Sequence, residues 1–304
     1  MEKGTLKVKF SNGFGNNLFQ YVFGRLLAEH HDLNYCHDSI PEMGIKKETY
    51  PYNKKLKTIR FKAKSNFEAK KYDRDHYKFF EPTYKNCNFD FNSFMFYFED
   101  YAIYKPYLGK IRSWFKPVKK TNTKDLVIHF RLKNRLVWET HYNNFIKPEI
   151  YKKIISSNFK FEKLYIVSDM DKWGDIKNKD IKKIKEETRK KYKKNTTKFV
   201  PTEKSVDYMN SLVDNFKEFK PKLYHSDKFV KDFNFIRSFD QILFKNSTFS
   251  WWAATLSEAS KIGVFRLWKP HKGKEKYKNL GETDFPGWFS WGTTDNLISV
   301  PIDF

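Results

Sequence analysis

Cysteine is nearly missing from this 304-residue chain. The two present, Cys36 and Cys87, stand outside any Cys-x-x-Cys or Cys/His pattern. That argues against a zinc site and against a disulfide scaffold. No stretch approaches the ~20 apolar residues that span a bilayer. Met1-Glu2-Lys3-Gly4 lacks the apolar run of a signal peptide or anchor. A soluble protein in a reducing cytoplasm is therefore expected, bacterial or in the cytosol of a virus's host. Internal repeats are absent, and so are helix-turn-helix, zinc-finger and RNA-binding signatures. Acidic residues are outnumbered, 36 against 59 basic ones, for a formal net charge of +23.

Aromatic residues are plentiful. At 19% of the chain they supply core material despite the low mean hydropathy, which excludes a disordered chain. The length suits two domains. The charge favours an anionic partner: a nucleic acid, an acidic membrane, a phosphorylated substrate or an acidic glycan. Lysine spread evenly over a solvated surface is the plain alternative.

Leu6–Phe10 alternates apolar and polar residues, as a strand does. A glycine- and asparagine-rich loop follows, Ser11 to Asn17. Leu18, Phe19, Val22, Phe23, Leu26 and Leu27 then recur at helical spacing. Gly13 and Gly15 allow close approach of a ligand to the backbone, and Asn16 or Asn17 is suited to cap the helix. Residues 34–119 carry no chemical motif; their aromatics are expected to pack together, with Phe94–Phe98 as a short possible strand. Polar, turn-like residues 117–124 mark a domain boundary.

Leu126–Phe130 reads as a buried parallel strand, with His129 and Arg131 near its carboxyl end, where open α/β sheets bind ligands. Side chains two apart share a face, so His129 and Arg131 can share a site. A helix is expected over 147–155 and a second buried strand over Leu164–Val167, ending in Ser168-Asp169. The basic run from Lys177 to Lys198, with Ile181 and Ile184 as apolar anchors, reads as a solvated helix or insertion. Asp232–Leu243 is largely helical in pattern, and Ile262–Leu267 a further strand.

Between these last two lies Lys245-Asn246-Ser247-Thr248-Phe249-Ser250-Trp251-Trp252-Ala253-Ala254. It reads as a strand end, a polar turn and a helix start. First-turn N–H groups and the helix dipole favour an anion, and neighbouring hydroxyls add donors, which makes a seat for phosphate. The plain alternative is an N-cap followed by core aromatics. Trp251 and Trp252 are read as core beneath the site. Strands and helices alternate in both halves, which predicts an α/β chain of two Rossmann-like domains facing a cleft. The expected division is 1–120, 121–285 and an aromatic tail, 286–304, and Trp268, Trp288 and Trp291 of the final aromatic segment are expected to pack the tail back on the body.

Three stretches together resemble the α-1,2-fucosyltransferases of glycosyltransferase family 11. Gly13-Phe14-Gly15-Asn16-Asn17-Leu18-Phe19-Gln20-Tyr21 is similar to the family's N-terminal glycine–asparagine motif. His129-Phe130-Arg131 is similar to the start of its His-x-Arg motif, and Asn246 to Ala254 to its C-terminal Asn-Ser-(Ser/Thr)-Phe-Ser-Trp-Trp motif. Ser168-Asp169 and Asp232 also fall where the family has comparable residues. The resemblance implies a GT-B-like fold and transfer of fucose from GDP-fucose to a glycan hydroxyl with inversion. It implies no obligatory metal and no other cofactor. Arg131 is then the catalytic residue, neutralising the diphosphate leaving group. Gly13, Gly15, Asn16, His129, Asp232, Asn246, Ser247, Thr248 and Ser250 complete the donor site. The expected partners are a GDP-sugar and an oligosaccharide acceptor, without specific nucleic acid, and with loose contact to an anionic membrane surface.

The chain departs from the family where His-x-Arg-Arg-Gly-Asp is usual: Leu132, Lys133 and Asn134 follow Arg131. Asparagine is no general base. Glu139 and Asp169 are both candidates for that role. Competing readings are a transferase using another nucleotide sugar, an inactive GDP-binding module, and a basic nucleic-acid-binding protein.

Overall fold

The computed structural model describes residues 3–61, 76–82, 86–91, 97–99, 101–133, 135–136, 146–192, 202–245, 247–265 and 297–300. These residues fall into two units, the first reaching Pro117 and the second starting at Val118. Asn134, Glu139, Asn246, Trp268, Trp288 and Trp291 lie outside the described residues, as does most of Phe94–Phe98.

The N-terminal unit is built on a parallel sheet of β1 (Thr5–Val8), β2 (Asn34–His37), β3 (Lys57–Arg60) and β4 (Cys87–Phe91), in the order β2-β1-β4-β3. The first strand stops at Val8, short of the expected Phe10. Helix α1 (Phe14–His31) buries Leu18, Phe19, Val22, Phe23, Leu26 and Leu27, the face its periodicity predicts. It ends at Asp32, whose left-handed backbone (φ 53°) turns the N–H of Leu33 back onto Ala28 O at 2.8 Å. Gly24 allows α1 to sit directly on β2: a Cβ there would lie 2.3 Å from Tyr35 Oη. Tyr35 hydroxyl bonds the carbonyls of Gln20 and Tyr21 on the same helix. The aromatics of this half pack as a core. Phe23 stacks on Phe98 at 3.7 Å, and Phe61, Phe79, Phe89 and Phe91 close around them. Short helices α2 (Tyr101–Tyr104) and α3 (Leu108–Ser113) end the unit.

The C-terminal unit holds β5 (Asn122–Phe130), α4 (Pro148–Asn158), β6 (Leu164–Ser168), α5 (Asn178–Tyr192), α6 (Thr202–Phe216), β7 (Lys222–Tyr224), α7 (Phe229–Arg237), β8 (Phe239–Lys245), α8 (Thr248–Thr255), β9 (Lys261–Phe265) and β10 (Leu297–Val300). Every described pairing in its sheet is parallel, in the order β10-β9-β8-β5-β6-β7. β5 and β6 are the apolar runs read from the sequence. Leu126, Val127 and Ile128 are fully buried because both faces of a parallel sheet are covered. On α5, Ile181 and Ile184 are buried and most of the charged residues face outward.

The expectation for 232–243 needs correction. The helix ends at Arg237, and Phe239–Lys245 is a strand between β5 and β9. Phe233 and Ile236 fit helical spacing, but Phe239, Gln241 and Leu243 also alternate. Pairing on both edges, Leu243 with Ile128 and with Gly263, decides in favour of the strand. Leu243 and Phe159 crowd Gly263 so closely that a Cβ there would lie 2.7 Å from Leu243 Cδ1.

Candidate functional site

The C-terminal sheet reverses its order between β5 and β8. From β5 the chain moves to β6 and β7 on one side, then returns to place β8 on the other. Ligands of open α/β sheets bind at such a switch point, outside the carboxyl ends of the strands. The carboxyl end of β5 carries His129, with Arg131 just past it, and the segment leaving β8 carries Ser247, Thr248 and Ser250. β5 pairs His129 with Phe244 of β8 and Phe130 with Ser168 of β6, so Arg131, Asp169 and Ser247 lie within a few residues of one sheet edge.

Ser247 is the N-cap of α8. Its backbone is extended, its carbonyl accepts Trp251 N at 2.9 Å, and its hydroxyl accepts Ser250 N at 3.5 Å. Thr248–Ser250 therefore form the first turn of the helix itself. Ser250 Oγ lies 2.5 Å from His129 Nδ1, tying the helix start to β5. His129 is buried among apolar groups beside Arg131, and burial first, then that guanidinium, pushes its pKa down to about 3. The imidazole is neutral at physiological pH. Its ring also faces Phe249, with centroids 5.4 Å apart. Trp251 and Trp252 are buried behind the turn, as core.

Arg131 is half-buried at the exit of β5. The next residues turn sharply, with Leu136 N bonding Leu132 O. Asp169, just past β6, accepts the N–H groups of Leu132 and Lys133 on one oxygen, at 2.6 and 3.0 Å. Burial raises the Asp169 pKa, while these two bonds and the nearby Arg131 and Lys133 charges oppose the rise. Asp232 sits in the first turn of α7, buried, accepting Ser226 N at 3.0 Å. It reaches this edge by topology rather than by contact with Arg131: its neighbour Phe233 meets Phe249 of α8 edge-on at 5.2 Å.

Gly13, Gly15 and Asn16 belong to the N-terminal unit, at the switch between β1 and β4. Here the capping expectation is overturned. Gly13 is the N-cap, and its carbonyl accepts Asn16 N and Asn17 N, so both asparagines lie inside the first turn. Gly13 has the extended backbone of an N-cap residue, at φ −90°. A Cβ at Gly13 would meet nothing within 4 Å, so packing within the chain does not require glycine there. Gln20 escaped the sequence reading. It is buried, and its amide accepts Ser11 N at 2.9 Å and donates to Ser11 Oγ at 3.1 Å, bracing the glycine loop. The available signal was a polar residue in the apolar run Leu18–Val22.

No protein-family model and no curated protein matches the sequence. Two solved structures are similar to the chain. One is a NodZ α-1,6-fucosyltransferase soaked with GDP-fucose, at 9% identity and a TM-score of 0.42, over 88% of this chain and 96% of that one. The other is the selenomethionine form of the fucosyltransferase NodZ from Bradyrhizobium, at 9% identity and a TM-score of 0.43, over 89% and 97%. Likeness this distant carries nothing about activity.

Among the described residues, no group of three His, Cys, Asp or Glu side chains is placed to hold a metal ion. No described helix is long and apolar enough to cross a membrane. What the edge does offer is a guanidinium, a helix N-terminus with hydroxyls, and a neutral histidine bonded to that helix start. That set suits a dianionic or diphosphate group.

Proposed function

We propose that the chain is an inverting glycosyltransferase of GT-B-like design that moves fucose from GDP-fucose to a hydroxyl of a glycan acceptor. The observation that supports it best is the His129–Ser250 hydrogen bond. It brings the two C-terminal motif stretches, 121 residues apart, to one switch point beside Arg131. The fucose donor and the family assignment rest on the resemblance of the motifs.

In this reading the acceptor oxygen attacks the anomeric carbon of fucose. The bond from that carbon to the β-phosphate oxygen breaks, its electron pair leaves with GDP, and the acceptor proton passes to a base. Arg131 and the N-terminal turn of α8 take up the charge that grows on the diphosphate, so the step asks for no metal. Ser247, Thr248 and Ser250, with Asn246, contribute hydrogen bonds to phosphate or nucleotide. His129 holds Ser250 and the β5 exit in register. Asp232 supports the nucleotide. Gly13, Gly15 and Asn16 are assigned to the donor by the resemblance of their motif alone, and we assign the N-terminal unit to the acceptor. We place the enzyme in the cytoplasm, where its lysine-rich surface holds it loosely on anionic membranes.

The test is thermal stabilisation by a panel of GDP-, UDP-, CMP- and dTDP-sugars, with the Arg131→Ala variant in parallel. Stabilisation by GDP and GDP-fucose alone, lost in the variant, is the expected result. A shift with a different nucleotide sugar overturns the fucose assignment. No shift with any donor overturns the transferase reading and leaves salt-dependent nucleic-acid binding as the next assay.

A further inference from the structure

We propose that Asp169 is a positioning residue for this site: its carboxylate anchors the backbone that follows Arg131 and thereby aims the guanidinium. The inference rests on the reading of this sheet edge as a nucleotide-sugar site.

Arg131 is the hinge between two kinds of backbone. Before it, β5 is held by ladder hydrogen bonds to β6 and β8 through Phe130 and His129. After it, the chain leaves the sheet and turns at once. A strand exit of this kind leaves N–H groups needing acceptors. Asp169 supplies one from the neighbouring strand, its Oδ1 receiving both Leu132 N and Lys133 N. This is N-cap chemistry delivered from outside the turn. Leu132 is locked from the other side, its side chain buried in the apolar core and its carbonyl bonded by Leu136 N. The residue next to Arg131 is therefore held at its N–H, its carbonyl and its side chain. Fixing Leu132 limits the directions in which the Arg131 side chain leaves the backbone.

Asp169 is also a candidate for the base that Asn134 does not provide. Anchoring and base catalysis make opposite demands. An anchor needs an acceptor oxygen, which asparagine keeps; a base needs a carboxylate, which asparagine lacks. The Coulomb attraction between Asp169 and Arg131 adds to the anchoring, but the two N–H bonds are its geometric basis.

The experiment measures GDP affinity by calorimetry in the unaltered chain and in Asp169→Asn, Asp169→Ala, Arg131→Ala and the Asp169→Ala/Arg131→Ala double variant. Hydrogen exchange of the Leu132 and Lys133 amides is followed in parallel. Asp169→Asn should bind GDP within about threefold of the unaltered chain and keep both amides protected. Asp169→Ala should bind about tenfold or more weakly and lose that protection, since small misplacements of a charged group cost this much. The double variant should be no worse than Arg131→Ala, because the two act through one group. Asp169→Ser, too short to reach both amides, replaces Asp169→Ala if the latter does not fold. Unchanged GDP affinity in Asp169→Ala, or losses that add in the double variant, overturns the proposal while the site reading stands. If the unaltered chain does not bind GDP, the site reading fails, and the proposal with it.

Discussion

Ser250 Oγ approaches His129 Nδ1 to 2.5 Å and so fastens the first turn of α8 to the central strand β5. The contact is buried on both sides. A neutral imidazole and a hydroxyl can each donate or accept, so this pair is satisfied in either tautomer. Its value is geometric: it fixes a helix N-terminus relative to the strand that carries Arg131.

Stability should depend on the charge state of His129. In the unfolded chain the imidazole titrates near 6.5, and in the folded chain near 3. Between those values the unfolded chain binds the extra proton, so stability falls as pH drops from about 6.5 towards 3. His129→Asn keeps a hydrogen-bonding partner for Ser250 and removes the titration. Urea denaturation at pH 7 and pH 5 should show the unaltered chain losing about 2 kcal/mol more than His129→Asn. Equal losses in both proteins place the titrating group elsewhere.

The two serines of the α8 start should not be equivalent. Ser250→Ala leaves His129 Nδ1 buried without its hydroxyl partner, at a cost of about 1–3 kcal/mol. Ser247→Ala removes a long capping bond of 3.5 Å from an N-cap, at a cost of about 1 kcal/mol. Chemical denaturation of the two variants orders them. A larger loss for Ser247→Ala contradicts the hydrogen bonding described.

Arg131→Lys keeps the charge and loses the planar fork that matches two phosphate oxygens. With GDP-fucose as donor, we expect turnover to fall about 10²- to 10³-fold while the melting temperature stays within a few degrees. Initial rates of GDP release with an accepted glycan measure it. A variant as active as the original rules out bidentate contact by Arg131.

Gly24→Ala tests the seat of α1 on β2. Alanine favours helix by about 1 kcal/mol over glycine. Here its Cβ would meet the buried Tyr35 ring at 2.3–2.6 Å. Packing strain of about 1–3 kcal/mol should outweigh the propensity gain, giving net destabilisation. A stabilised variant, read by thermal melting, means that α1 and Tyr35 do not approach as described.

Local pattern carried much of the architecture. The apolar runs Leu126–Phe130 and Leu164–Val167 are strands because nothing except a two-sided sheet interior hides such residues from water. The spacing of Leu18, Val22 and Leu26 set the buried face of α1 for the same reason, and Ser247 is a cap because its side chain mimics the missing turn. Capping at the glycine loop was not legible. Gly13 and Asn16 both suit a helix start, and only the bonds of Asn16 N and Asn17 N to the Gly13 carbonyl decide between them.

Residues 239–245 were ambiguous because their apolar positions fit both periods. Pairing with β5 on one side and β9 on the other settled them, and those partners begin at Asn122 and Lys261. The site depended on tertiary structure most of all. The residue types of His129, Arg131 and Ser250 pointed towards anion chemistry, but nothing in a linear chain joins positions 121 apart. The order β8-β5-β6 does so, because a parallel sheet brings all its carboxyl ends to one edge and the reversal of order opens a crevice there. Likewise Asp169 reads in sequence as a free acid at a strand end. Two neighbouring N–H groups, visible only once β6 lies beside β5, make it a backbone anchor.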